Sequence, residues 1–465
     1  MVEILDTTLR EGEQTPYVNF LLDEKLEIAR LLDKVGVEMI EAGDPSVSAS
    51  VETAIQRIVA LQLKAEIVAH SLATYAGIDK ASHCGVDRVV VFYPTSQIHL
   101  EYKLHKTQQE ALKIIEAHVR YARSLGLKVR YTPEDASRTE FEFLVRACNT
   151  AIQAGADRIS FADTLGIMQP HEIQERIKAL RERLLPCKID LHCHDDYGLA
   201  LANAMAGIHA GADCIHTTIN GMGERTGIPD LCETVMAFHN LVGLEKYNLR
   251  ALMEASAYLE RISGFFLAPN KPITGQNAYS HKSGVHTHGV LQDPRTYENF
   301  DPALLGRQRK IVIDKFTGRS AVAARLGEYG VEVSGTELEA IVRKIKEVGD
   351  TRKFLFDTDI IEIAEQVTGR NLNIISPNLE AIVMIEVESH VYTSTVVRRL
   401  RGIRHVLNVY EITGDYDIGA FVSVENVHEL NTVIEELRTV AGVKQTETRI
   451  VLKKYICNGV ADGVK

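Results

Sequence analysis

Apolar and polar residues alternate along the first half of the chain in two rhythms. Short apolar runs at Glu3–Asp6, Met39–Ala42, Ile67–His70, Arg88–Phe92, Lys128–Tyr131, Arg158–Ala162, Lys188–His192 and Cys214–Thr217 read as buried strands. Between them lie stretches of helical period, among them Leu22–Val35, Gln108–Ser124, Glu140–Ala154, His171–Leu184 and Leu199–Ala210. Gly36, Gly126, Gly155 and Gly211 follow several of these, where helix ends take a residue that tolerates positive φ. Eight strands alternating with helices over roughly 220–240 residues predict an α/β fold, a (β/α)8 TIM barrel. A doubly wound sheet competes with it, but no G-x-G-x-x-G follows an early strand.

Beyond the barrel the texture changes twice. Residues from about 245 to 370 read as mainly helical, with a polar, glycine-rich interruption at Thr274–Gly289. From Asn378 to Tyr455, strand-like runs at Ala381–Val387, Val406–Thr413, Ile418–Val424 and Gln445–Val451 alternate with helix-like Ser394–Arg401 and Asn426–Val440. That βαββαβ order predicts a ferredoxin-like α+β domain. The expected division is therefore a catalytic barrel over 1–245, helical subdomains over 246–372 and a ferredoxin-like domain over 378–457.

Composition narrows the class. A chain of 465 residues exceeds one compact core, and 45% hydrophobic with 25% charged residues is ordinary for a globular protein. A formal charge of −11 argues against a nucleic-acid partner, and no apolar run is long enough to span a bilayer. The opening Val2-Glu3-Ile4-Leu5-Asp6 has neither a basic nor an apolar leader region. Seven dispersed cysteines (84, 148, 187, 193, 214, 232 and 457), with no C-x-x-C pair, predict reduced thiols and a cytoplasmic protein.

The candidate chemistry centres on Asp190-Leu191-His192-Cys193-His194. Strand alternation turns Asp190, His192 and His194 to one face and Cys193 to the other. Two imidazoles and a carboxylate could hold a divalent metal. A second acidic cluster, Asp6 to Gln14, closes the first strand. Arg10-Glu11, His70, Thr95-Ser96, Arg130, Asp163-Thr164, His192/His194 and Asn220–Arg225 all fall at predicted strand ends. That is the face on which such barrels build active sites. Structural roles compete: Glu11 as a first-turn carboxylate, the histidines as satisfied core residues, Arg10 as a strand-end ion pair and Thr164 as a helix N-cap.

Asp6–Gln14 together with His192-Cys193-His194 resembles the DRE-TIM metallolyase family and, within it, the Claisen-condensing synthases. Glu134-Asp135, Phe161–Gly166, Gly221–Gly227 and Tyr279–His286 match as well, so the resemblance runs in order from residue 1 to about 330. It implies condensation of acetyl-CoA with a 2-oxo acid, then thioester hydrolysis and release of CoA. By resemblance Glu11, His192 and His194 are the metal ligands, with Mg²⁺ or Mn²⁺ expected and Zn²⁺ or Co²⁺ compatible. Arg10 touches the reacting carbonyl or the C1 carboxylate, Thr164 the same carboxylate, and Gln14 lies nearby. His286 aligns with the family's general base, ahead of His281 and His288, on a subdomain that reaches the partner subunit's site. Glu224 and Asp190 would orient the base or water.

Isopropylmalate synthases carry an asparagine where this chain has Ile228; homocitrate synthases carry isoleucine. Arg130 and His70 match contacts to a distal carboxylate, which implies 2-oxoglutarate as substrate and a branch in lysine biosynthesis. Isopropylmalate and citramalate synthases are the rivals within the family. Glu134 is an expected ion partner of Arg130. Val90 stands where the family supports that histidine with an aspartate.

Residues 378–455, with Ile412–Asp417 and Ala441-Gly442-Val443, resemble the amino-acid-binding domain of leucine-responsive regulators, without the DNA-binding helix-turn-helix. The resemblance implies a ligand-binding, oligomerising module, with lysine the natural effector and a homodimer or larger homo-oligomer expected. Such a domain could also serve subunit assembly alone. An amino-acid-sensing regulator built on an inert barrel is the reading from another class.

Overall fold

The strand–helix alternation closes on itself. The computed structural model describes residues 2–351, 355, 357–370, 372, 379–424 and 427–451. Strands β1 (Glu3–Asp6), β2 (Met39–Glu41), β3 (Glu66–Leu72), β4 (Arg88–Pro94), β5 (Lys128–Glu134), β6 (Arg158–Asp163), β7 (Lys188–Cys193) and β8 (Cys214–Thr217) pair in parallel in chain order. β8 returns to β1, with Asp6 opposite Thr217. Around them run α1 (Leu22–Val35), α2 (Ala49–Val59), α3 (Tyr75–His83), α4 (Gln108–Ser124), α5 (Phe141–Ala154), α6 (Pro170–Arg183), α7 (Ala200–His209) and α8 (Leu231–Ala237). Gly36 and Gly155 end α1 and α5 at φ 94° and 115°, as the sequence predicts.

Period-two alternation sorts the strand residues into two cores. Val89, Val91, Val129, Tyr131, Ile189 and Leu191 face outward and pack with Ile28, Ile115 and Phe143 of the helices. Leu5, Met39, Val68, Val90 and Cys214, with Phe92 against them, form a separate apolar plug inside the barrel. Above that plug the inward positions turn polar, and there the site lies.

The chain divides into two units. One holds Met1–Ser263, Leu267–Gly275 and Leu304–Gly306; the other holds Gly264–Phe266, Gln276–Ala303 and Arg307–Lys465. Helix α9 (Leu249–Ser263) lies past residue 245 yet belongs to the barrel unit, because its stripe of Leu252, Ala255 and Leu259 is buried in the barrel's outer core. In the second unit, β9 (Ser280–His281) pairs with β10 (Lys310–Ile311). The expected polar interruption is partly ordered there as α10 (Gly284–Gln292). Helices α11 (Arg319–Glu328), α12 (Gly335–Thr351) and α13 (Asp357–Thr368) share a core of Val322, Leu326, Ile341, Ile345 and Ile360.

The C-terminal residues form the expected ferredoxin-like domain. Its order is β11 (Leu379–Val387), α14 (Thr393–Leu400), β12 (Val406–Glu411), β13 (Ile418–Val424), α15 (Val427–Thr439) and β14 (Val443–Ile450). The antiparallel sheet runs β12-β13-β11-β14. Ala381, Val383 and Ile385 alternate inward against Val396, Leu400, Leu430 and Leu437. Residue 378 and residues 452–457, including Cys457, lie outside the described residues. Among the described residues, no helix is long and apolar enough to cross a membrane.

Candidate active site

A cavity of about 330 Å³ opens at the C-terminal end of the barrel strands. Arg10, Glu11, Gln14, His70, Arg130, Thr164, His192, His194 and Glu224 all line it, as the strand-end pattern predicts. Asp190 does not. It lies on the same face of β7 as His192 but deeper, buried against Arg158, whose guanidinium reaches it at 2.8–3.1 Å. Burial opposes its ionisation, yet Arg158 and His216 hold the carboxyl below the usual range. A direct role in orienting base or water is thereby replaced by a structural one.

Glu11, His192 and His194 each offer one donor atom, and the three lie within 4.8 Å of one another. Glu11 leaves the end of β1, and its Oε1 accepts the Glu224 backbone N–H at 3.0 Å. Its Oε2 receives Arg10 and lies 3.9 Å from His192 Nε2. Burial pushes both imidazoles below the ordinary histidine pKa, so their lone pairs are available at neutral pH. His194 Nδ1 is buried with no hydrogen-bond partner among the described residues. Histidines placed only to complete a core would be satisfied; an orphaned nitrogen beside a carboxylate and a second imidazole fits a divalent ion. Cys193 faces the outer core, as alternation predicts.

A carboxylate that the sequence reading did not single out organises the floor. Glu41, at the end of β2, is fully buried. It takes Arg10 Nε at 2.5 Å on one oxygen and Arg130 Nη2 on the other. Burial opposes its charge, but the two guanidiniums hold its carboxyl well below the usual range. The only signal in sequence was a lone acid closing the apolar run Met39-Ile40-Glu41.

Arg130 therefore pairs with Glu41 and not, as expected, with Glu134. Glu134 sits four residues further along β5, roughly 13 Å by strand rise, and receives Lys103 Nζ at 2.7 and 3.0 Å. His70 is no second cation either. Its ring stacks on Phe92 at 4.4 Å and 25°, and burial with Arg10 nearby pushes its pKa down to about 3. Val90, noted from the sequence as standing in place of a supporting aspartate, is its register partner on β4 and belongs to the apolar plug, so the ring of Phe92 supports the imidazole instead.

Further orphans face the cavity. Arg130 Nε, Thr132 Oγ1 and Ser160 Oγ are buried without partners among the described residues, and all three residues line it. Each unmet polar group costs about 1–3 kcal/mol, a cost that a polar ligand removes. Thr164 is not a helix cap: Gln169 precedes α6, and Thr164 Oγ1 accepts the Asp135 backbone N–H at 2.9 Å. Ile228 is buried and does not line the cavity. His216 of β8, also unforeseen, lies 3.2 Å from His192, 3.1 Å from Arg130 and 3.5 Å from Asp190. Burial and Arg130 push its pKa down to about 4.

His286 belongs to the second unit. On α10 its ring stacks on Tyr297 at 4.0 Å, while His281 bonds Glu298 at 3.1 Å and His288 bonds Ser320 at 3.0 Å.

Comparison with known proteins agrees with this anatomy. Residues 1–259 match the HMGL-like family, 273–353 the homocitrate synthase post-HMGL domain-like family, and 380–461 the Lrp/AsnC ligand binding domain. Homocitrate synthases of Sulfurisphaera tokodaii and Saccharolobus solfataricus are 47% and 46% identical over 458 residues, 97% of this chain and 99% of theirs. Among solved structures, HMG-CoA lyases of Bacillus subtilis and Pseudomonas aeruginosa share the barrel fold. Their TM-scores are 0.52 and 0.51 at 22% and 20% identity, over 57% of this chain and 95% and 94% of theirs. With an HMGL-like barrel over more than half its length and near-half identity end to end, the chain belongs to the homocitrate synthase family.

Proposed function

We propose that the barrel condenses acetyl-CoA with 2-oxoglutarate and hydrolyses the thioester, releasing homocitrate and CoA. The observation that carries the substrate is Arg130, a buried guanidinium with an unmet Nε beside the unmet hydroxyls of Thr132 and Ser160. A distal carboxylate supplies acceptors for all three. A branched apolar tail leaves them unpaired, a penalty of roughly 3–5 kcal/mol.

Glu11, His192 and His194 would hold a divalent ion, Mg²⁺ or Mn²⁺ foremost, which when bound supplies a Lewis acid for the ketone and a template for the C1 carboxylate. Arg10, anchored by Glu41, places a fixed positive charge where negative charge grows on the ketone oxygen. Thr164 offers its hydroxyl to the C1 carboxylate. His286, supplied by a second copy of the chain, takes a proton from the acetyl methyl group. The resulting carbanion forms the new C–C bond at the ketone carbon, and the oxygen is then protonated. Water, oriented with help from Glu224, adds to the thioester and expels the CoA thiol. The Lrp/AsnC-type domain is read as a sensor for lysine.

A thiol-release assay with 2-oxoglutarate, 2-oxoisovalerate, pyruvate and oxaloacetate tests the reading. 2-Oxoglutarate should be preferred, and a chelator should abolish the activity until Mg²⁺ or Mn²⁺ is restored. Turnover of 2-oxoisovalerate without 2-oxoglutarate would remove the assignment.

A further inference from the structure

His216 is buried, has polar partners at both ring nitrogens, and is unused by the mechanism above. Its Nδ1 lies 3.2 Å from His192 Nδ1, so one ring must donate and the other accept. Its Nε2 faces two groups with opposite demands. Arg130 Nη1, at 3.1 Å, can only donate; the Asp190 carboxylate, at 3.5 Å, can only accept. The position of one proton on His216 therefore fixes the position of the proton on His192.

A ligand nitrogen must present its lone pair. His192 Nε2, which lies 3.9 Å from Glu11 Oε2, does so only when the His192 proton is on Nδ1. His216 must then accept at Nδ1 and carry its own proton on Nε2, toward Asp190. Asp190 is held for this by Arg158, and Arg130 has Glu41 as its alternative partner. The other group that could be read here, Asp190 with Cys214 and His216, has donor atoms within 4.8 Å of one another. Guanidiniums of Arg158 and Arg130 abut it, which disfavours a cation and favours the relay.

We propose that His216 is the positioning residue of the metal centre: in the metal-bound enzyme it accepts the His192 Nδ1 proton, donates its Nε2 proton to Asp190 and gives up Arg130. Metal binding thereby frees one Arg130 N–H for the distal carboxylate, so the metal site and the specificity site are coupled through a single imidazole. The inference rests on the metal role of Glu11, His192 and His194, and the test separates the two.

The metal-stripped full chain is titrated with Mn²⁺, with free Mn²⁺ followed by electron paramagnetic resonance. His216→Leu keeps bulk but removes the acceptor, and should bind about 10- to 100-fold more weakly than wild type. His216→Asn, whose amide oxygen can occupy the place of Nδ1, should recover most of that loss. Histidine ¹⁵N spectra of the Zn²⁺-loaded protein should show the His192 proton on Nδ1 and the His216 proton on Nε2. Equal Mn²⁺ affinity in a folded His216→Leu protein, no recovery in a folded His216→Asn protein, or a His216 proton on Nδ1 would overturn the role of His216 alone. A wild-type chain that takes up no Mn²⁺ would overturn the metal role and this inference with it.

Discussion

Arg130 is one side chain with two tasks: it closes a buried ion pair with Glu41 and leaves Nε unmet toward the cavity. Arg130→Met removes the charge but keeps most of the bulk. Discrimination of 2-oxoglutarate over 2-oxoisovalerate, measured as the ratio of kcat/KM values, should fall about 150- to 5,000-fold, matching the roughly 3–5 kcal/mol mismatch. An unchanged ratio would place specificity elsewhere. Acid should also weaken the metal-free fold. His70 and His216 are pushed down to about 3 and about 4 by burial, whereas an unfolded histidine titrates near 6.5. Between about pH 4 and 6.5 the native state binds fewer protons at these rings than the unfolded chain, so stability falls as pH falls, by about 1.4 kcal/mol per unit for each ring. Asp6, raised to about 7 by burial, acts in the opposite sense across much of that window, as do Asp44, Asp195, Glu233 and Glu260, also raised by burial, while His192 and His194, pushed down by burial, act with the two rings. Urea midpoints should drop from pH 6.5 to 5, and His70→Asn should shrink the drop; a higher midpoint at pH 5 would reverse the argument. The candidate metal ligands were legible because two histidines at strand spacing beside an acidic strand end form a pattern. Glu41, Thr132, Ser160 and His216 were not, because a single polar residue in an apolar run does not reveal which partners the closed barrel brings to it.

Among elements, the regular ones followed from periodicity, since burying an apolar stripe or alternate strand positions decides their form. Helix α10 was hidden: Gly284-Val285-His286-Thr287-His288-Gly289 carries two glycines and no apolar stripe. The segment after β8 shows what sequence could indicate but not weigh. Gly227 has φ 82°, and a Cβ there would meet the Gly221 carbonyl oxygen at 1.7 Å. The turn is built on that close approach, and it presents the Glu224 N–H that holds Glu11 at 3.0 Å. Gly227→Ala must open the turn and release that bond. Mn²⁺ affinity should fall about tenfold, with the barrel still folded by circular dichroism. Full retention of affinity would mean that the turn does not orient Glu11.

At the scale of the whole molecule, the proposal divides one reaction between two chains: metal and oxo-acid residues from the barrel, and the base His286 from a second copy. The two roles can be separated by mutation and restored by mixing. His192→Ala should lose metal-dependent turnover through the barrel, and His286→Ala should lose proton abstraction while still binding Mn²⁺ and 2-oxoglutarate. Neither homo-oligomer should release CoA above background. If the base crosses a two-fold interface, co-refolding the two variants in equal amounts makes about half the dimers mixed, each with one site built from two wild-type halves. Activity should then recover to about a quarter of the wild-type level. A base acting within its own chain predicts no recovery at any mixing ratio, because each site would carry one lesion or the other. The same preparation reports on the C-terminal domain. If lysine acts there, inhibition of the restored activity should be noncompetitive with 2-oxoglutarate, and Gly414→Val should weaken it without changing KM, since Gly414 holds φ 129° in the turn before β13. Competitive inhibition that survives the substitution would instead assign lysine to the barrel cavity and leave the ferredoxin-like domain to subunit assembly.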